Sequence, residues 1–117
     1  MLFLEYPTCT TCKKAKQWLI DNDLTFTARH IKEQKPTAAE LAAWQEKSDL
    51  PLKKFFNTSG LLYKSMNLKD RLPAMTREAQ LDLLATDGML VKRPILITGD
   101  TVLVGFKAAE WEKLLQK

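Results

Sequence analysis

The chain is 117 residues long with a formal net charge of +4, 45% hydrophobic residues, two cysteines and one histidine. That length supports one buried core and excludes two; no apolar run approaches the roughly 18 residues of a membrane helix, and no basic-then-apolar leader opens the chain. Lysines and arginines are interleaved with acids, which argues against a nucleic-acid footprint and leaves room for weak attraction to anionic substrates or acidic protein surfaces. The expectation is a soluble cytoplasmic protein whose thiols stay reduced unless in use.

Met1 to Tyr6 reads as an apolar strand, and Thr10 to about Asp21 as a helix with Cys12, Ala15, Trp18 and Leu19 on one face. A second strand is expected over about Leu24 to Ile31, alternating Phe26, Ala28 and His30 with Thr25, Thr27 and Arg29. Pro36-Thr37 opens a helix reaching about Lys47, with Thr37 as N-cap and Glu40 completing a capping box. From Asp49 to Gly88 no strand pattern occurs. Pro51, Gly60 and Pro73 punctuate short helices, and Thr76 caps one that runs through Ala85. Pro94 to Ile97 and Thr101 to Val104 read as a hairpin around Thr98-Gly99-Asp100, followed by a helix carrying Ala108, Trp111, Leu114 and Leu115. A βαβ unit, then a hairpin and a closing helix, is a thioredoxin-like order. The fold class expected is therefore α/β, a thioredoxin-like (glutaredoxin-like) domain with a mixed four-stranded sheet and an all-helical insertion. The single domain spans 1–117, with 1–36 and 91–117 as core and 37–90 as the insertion.

Cys9 and Cys12 form a C-x-x-C pair between the first strand and the first helix. Two randomly placed cysteines would show this spacing on the order of 2% of the time. A helix N-terminus offers unpaired N–H groups and partial positive charge, both of which favour the reactive thiolate. Lys13 and Lys16 add positive charge, Lys14 reads as solvated, and Thr8 or Thr10 is expected to cap the helix. A structural zinc site needs four ligands and the chain has two cysteines and one histidine, so no metal is expected. A disulfide between these two would close too small a loop to stabilise much. His30, on a strand, reads as a structural side chain rather than a general base, and Trp18, Trp44 and Trp111 as core.

Four segments together resemble the ArsC/Spx family: Tyr6 to Leu19 around the cysteines, Pro51-Leu52-Lys53-Lys54-Phe55-Phe56-Asn57-Thr58, Lys92-Arg93-Pro94-Ile95, and Val104-Gly105-Phe106. The resemblance spans essentially the whole chain and is greatest to ArsC-like proteins with C-x-x-C. It implies Cys9 as nucleophile, Arg93 beside it lowering its pKa and steering anions, and a cis Pro94 against the thiol. Arsenate reductases of the family hold the oxyanion with three arginines, of which only Arg93 is matched. The other two places read Phe55-Phe56-Asn57 and Gly105-Phe106, which removes clamps worth about 1.5–3 kcal/mol each and leaves Asn57 one neutral hydrogen bond to give. Those reductases resemble C-x-x-S, whereas Cys12 permits a disulfide with Cys9, as in the Spx branch. The leading expectation is a thiol–disulfide redox protein with Cys9 attacking and Cys12 resolving. It needs no bound cofactor, and its electron donor is glutathione, another small thiol, glutaredoxin or thioredoxin. The alternatives are an Spx-like redox-sensing regulator that binds the RNA polymerase α-subunit, and a glutaredoxin- or thioredoxin-coupled arsenate reductase. Residues Ser48 to Ser59 follow the reductase-like branch.

Overall fold

The computed structural model describes residues 1–115, so the last two residues of the expected domain, 116–117, lie outside the described residues. Four strands form one mixed sheet: β1 (Leu2–Glu5), β2 (Thr27–His30), β3 (Ile95–Thr98) and β4 (Thr101–Val104), in the order β2-β1-β3-β4. β1 runs parallel to β2 and antiparallel to β3, and β3 turns back into β4. The two-residue turn needs Gly99, whose φ of 56° lies in the left-handed region. β1 is central, and its side chains alternate between faces. Phe3 packs with Ala15, Leu19, Leu96 and Trp111 on one face, while Leu4 packs with Ile31, Leu41, Phe55 and Ile95 on the other.

Helices α1 (Thr10–Asp21) and α6 (Ala108–Leu115) supply the first of these clusters. The second is built by the helical segment: α2 (Ala38–Ser48), α3 (Leu61–Ser65), α4 (Leu68–Arg71) and α5 (Arg77–Thr86), with 3-10 turns at Leu52–Phe55, Leu72–Ala74 and Gly88–Leu90. Trp44, Phe56, Leu84 and Leu90 of this segment share one core with Leu4, Ile95 and Val102 of the sheet, so it packs as a layer on the sheet. The expected caps form. Thr37 and Glu40 make a reciprocal capping box on α2, and the Thr76 hydroxyl accepts from the Ala79 amide on α5.

The second strand is shorter than its sequence pattern suggests. Asp23 turns the chain in the left-handed region, and the Leu24 amide donates to the Leu19 carbonyl, so Leu24 belongs to the end of α1. β2 is then an edge strand with Thr27 and Ala28 both exposed, and its alternation does not mark an inner and an outer face.

Arg29 ties this edge to α2. Its guanidinium donates to both carboxylate oxygens of Glu40, at 2.7 and 2.9 Å, and to the backbone carbonyls of Gln34 and Lys35. The hydrogen bond from Arg29 holds the Glu40 carboxyl below its ordinary 4.5; burial opposes this, and the Thr37 amide assists it. A depressed carboxylate pKa stabilises the fold above the unfolded-state value, and that stability is lost as pH falls through the folded value. Arg29→Met should therefore destabilise by about 1–2 kcal/mol at neutral pH, after allowance for partial exposure. It should also flatten the loss of stability below pH 4.5, measured by urea unfolding across pH.

Candidate active site at the Cys9–Cys12 helix start

β1 delivers the chain to the site and a turn closes it: the Cys9 amide donates to the Tyr6 carbonyl at 2.9 Å, and α1 begins at the next residue. The N-cap of α1 is Cys9 itself, with extended backbone (φ −72°, ψ 119°), and not Thr8 or Thr10 as the sequence suggests. Its sulfur accepts the Cys12 amide hydrogen at 3.3 Å. A thiolate in the cap position takes up an orphan helix N–H directly, which a threonine cap would have occupied. Both thiols are free; Cys9 is half-buried and Cys12 fully buried.

Antiparallel pairing of β1 with β3 places Leu4 opposite Ile95, so the residues just before β3 arrive beside the end of β1. This is how Arg93, far away in sequence, reaches Cys9. The Arg93–Pro94 peptide is cis, and Pro94 is buried. The Arg93 guanidinium stands 5.4 Å over the Tyr6 ring, and its Nε and Nη1 are buried without a hydrogen-bond partner. Burial pushes the Cys9 thiol up, but hydrogen bonds from the Cys12 side chain and amide, with the charge and hydrogen bonding of Arg93, outweigh it and bring the pKa below the ordinary 9.0. The Cys12 thiol goes the other way. Burial first, then its hydrogen bond to Cys9 and the Cys9 charge, push it up to about 12, against the Tyr6 backbone and Arg93. Two identical groups three residues apart are thus shifted in opposite directions.

The remaining expected site residues divide. Lys13 is exposed and is not among the groups that move Cys9, and Lys16 is the counter-ion of the buried Glu5 carboxylate at 3.0 Å. Thr8 and Thr10 are exposed. Asn57 is absent from the cleft beside Arg93: its side chain lies against Gly60, and its amide donates to the Leu90 carbonyl at 2.8 Å. Phe106, where a further arginine would sit, packs edge-on against Trp111 at 4.9 Å and also stacks near Trp18. His30 accepts the Lys32 and Glu33 amides on Nδ1, a turn-stabilising role consistent with its structural reading.

Two features escaped the sequence reading. Tyr6 supports the site through both its carbonyl and its ring; its adjacency to the motif was the available signal. The second is a cleft of about 710 Å³ running from Arg93 along Lys53, Lys54, Lys92, Lys107 and Glu110. Among the described residues no group of three or more histidine, cysteine or acidic side chains is placed to hold a metal, and no helix is long and apolar enough to cross a membrane.

A parallel β1-β2 pair, an antiparallel hairpin, a dithiol at the start of α1 and a cis proline just before β3 define the fold as thioredoxin-like. The chain belongs to the ArsC family, whose model matches residues 4–114. It is 58% identical to an ArsC family related protein from Bacteroides fragilis of known structure, with a TM-score of 0.94 over 97% of this chain and 95% of that one. It is 50% identical to the Bacillus subtilis protein named uncharacterized protein YusI, over 97% of this chain and 96% of the other. The regulatory protein MgsR of the same organism is 31% identical over all of this chain and 91% of its own length.

Proposed function

We propose that this protein is a thiol–disulfide oxidoreductase with Cys9 as nucleophile and Cys12 as resolving thiol. The observation that carries the reading is the opposed tuning of the two thiols around one helix start, with a half-buried, acidified Cys9 and a buried Cys12 held as thiol.

The Cys9 thiolate attacks one sulfur of a partner disulfide. The partner's S–S bond breaks, a Cys9 mixed disulfide forms, and the other half leaves as thiolate. Burial continues to raise Cys12, but this step removes the two other causes, its hydrogen bond to Cys9 and the Cys9 charge, while the Arg93 charge continues to pull it down. Cys12 then loses its proton to solvent and attacks the Cys9 sulfur, releasing the second half of the partner and closing the Cys9–Cys12 disulfide. Two electrons have passed to the partner. A dithiol of the thioredoxin or glutaredoxin class, or two molecules of a thiol such as glutathione, returns them.

The test is trapping. Cys12→Ser incubated with a small disulfide should accumulate a stable mixed disulfide on Cys9, seen by mass spectrometry. Cys9→Ser should form none and lose at least ~10³-fold in disulfide reduction, the scale on which a lost nucleophile acts. Absence of an adduct in Cys12→Ser would reject the assignment. The full-length likeness to MgsR favours a second reading, in which the same dithiol is a redox switch on a regulator. Capture of the RNA polymerase α-subunit only under oxidising conditions would select it. Arsenate reduction is disfavoured because Asn57 and Phe106 stand where the resemblance calls for arginines.

A further inference from the structure

The chain's net positive charge is concentrated in one place. The cleft beside Arg93 gathers five of the eighteen basic residues, Lys53, Lys54, Lys92, Arg93 and Lys107, and one of the fourteen acids, Glu110. The rest of the sequence is electrically balanced. These cations converge from three separate segments: the 3-10 turn at 52–55, the residues leading to the cis proline, and the entry to α6. Among the described residues the ion pairs are Lys16–Glu5, Arg29–Glu40 and Arg77–Glu46, so none of them engages a cleft cation. Between the cations lie apolar side chains, Leu50, Phe56, Val104 and Phe106.

We infer that this cleft binds an acidic, extended peptide segment of a protein partner, with carboxylates flanking the cysteine that reacts with Cys9. The inference rests on the thiol–disulfide reading above and assigns the substrate class of that site. Cations spread along the walls match carboxylates spaced along a chain better than one compact anion. The volume of about 710 Å³ exceeds what a simple disulfide requires and lies within the range of larger ligands. A cleft with five cations against one acid also attracts opposite charge, raising encounter rates by ~10-fold or more at low salt. Cys9 itself does not line the cleft; Arg93 joins the two, lining the cleft and lowering the Cys9 pKa, and Thr11 of the same helix start lines it as well, so the cleft opens next to the nucleophile.

The experiment uses reduced full-length protein and three synthetic peptides, each with one cysteine protected as its pyridyl disulfide and flanked by glutamates, glutamines or lysines. Release of thiopyridone reports attack by Cys9. Uncharged dithiodipyridine measures Cys9 reactivity in each variant, and peptide rates are divided by it. The glutamate peptide should react at least ~10-fold faster than the glutamine peptide at low salt and the lysine peptide slowest, with the spread collapsing as ionic strength rises. The double variant Lys53→Glu/Lys54→Glu leaves three cations facing three acids and should abolish the preference, bringing the three peptide rates together. Failure of dithiodipyridine to react with Cys9 would overturn the thiol–disulfide reading itself. Normal reaction with dithiodipyridine but equal peptide rates would overturn the cleft assignment alone. So would an equal advantage for the small diacid disulfide dithiodipropionate, or displacement of the glutamate peptide by a single-stranded oligonucleotide at lower concentration than by an acidic peptide lacking cysteine.

Discussion

At neutral pH iodoacetamide should modify Cys9 at least ~50 times faster than Cys12 in the folded protein. With Cys12 at about 12, its thiolate fraction at pH 7 is on the order of 10⁻⁵, whereas Cys9, below 9.0, exceeds ~10⁻². The ratio of thiolates is therefore ~10³ or more. A less acidic thiol gives a more nucleophilic thiolate, and a Brønsted slope of about 0.45 over three units returns a factor of ~20 to Cys12. Full burial of Cys12 works against its alkylation, so the net preference holds. The Cys9 rate should rise through a pKa below 9.0, while Cys12 should react only in strong base or after unfolding. Arg93→Leu should raise the Cys9 pKa only in part, because the Cys12 amide still caps the sulfur. Tyr6→Leu should raise it by less, through a guanidinium no longer held over a ring, and Tyr6→Phe should restore it. Peptide mapping after a pH series decides the matter; alkylation of Cys12 first, or an unchanged Cys9 pKa in Arg93→Leu, would refute the scheme.

What the sequence shows of this site is local. A strand ending at a C-x-x-C helix start, the Thr37–Glu40 box and the Gly99 turn each depend on a few neighbouring residues, and each forms where expected. Cap preferences are known for oxygen side chains and point to the two threonines beside Cys9, whereas the sulfur of Cys9 takes the role. The sequence pattern overstates β2 because alternation marks a face only where one side is covered, and at this sheet edge Ala28 is exposed. Arg93 and Cys9 meet only through the antiparallel pairing of β1 and β3, which periodicity does not reveal; the family resemblance supplied that link. The basic cleft was hidden for the same reason. Lys53, Lys54, Lys92 and Lys107 are scattered along the chain and look like ordinary solvated charge until the fold assembles them.

Gly88→Ala should be among the most destabilising single-methyl changes in the protein, costing ~3 kcal/mol or more and lowering Tm on the order of 10 °C. Gly88 is buried at the start of the 3-10 turn Gly88–Leu90, packed against the chain just beyond β2. A Cβ there would stand 1.8 Å from the Ile31 carbonyl oxygen, 2.6 Å from its carbon and 3.0 Å from the Lys32 Cα. Every one of these atoms is backbone, so no rotamer relieves the overlap. Nor can either segment yield freely. The Ile31 amide is held by the Glu5 carbonyl at 2.9 Å, and the Leu90 carbonyl accepts from Asn57 at 2.8 Å. The cost is contact rather than conformation, because Gly88 is not in the left-handed region. Asp87→Ala provides the comparison. It removes only the carboxylate that accepts the Met89 amide and should cost about 1 kcal/mol, as a lost cap does. The turn also leads directly to Lys92 and Arg93, with the Lys92 amide donating to the Phe55 carbonyl at 2.7 Å, so any shift that accommodates the methyl is passed to the guanidinium beside Cys9. Folded Gly88→Ala should therefore show a raised Cys9 pKa as well as a lower Tm, whereas Asp87→Ala should show a small loss of stability and an unchanged thiol. Thermal unfolding and thiolate absorbance on both variants test this, and a Gly88→Ala protein within a few degrees of wild type would mean that the contact with Ile31 is not fixed.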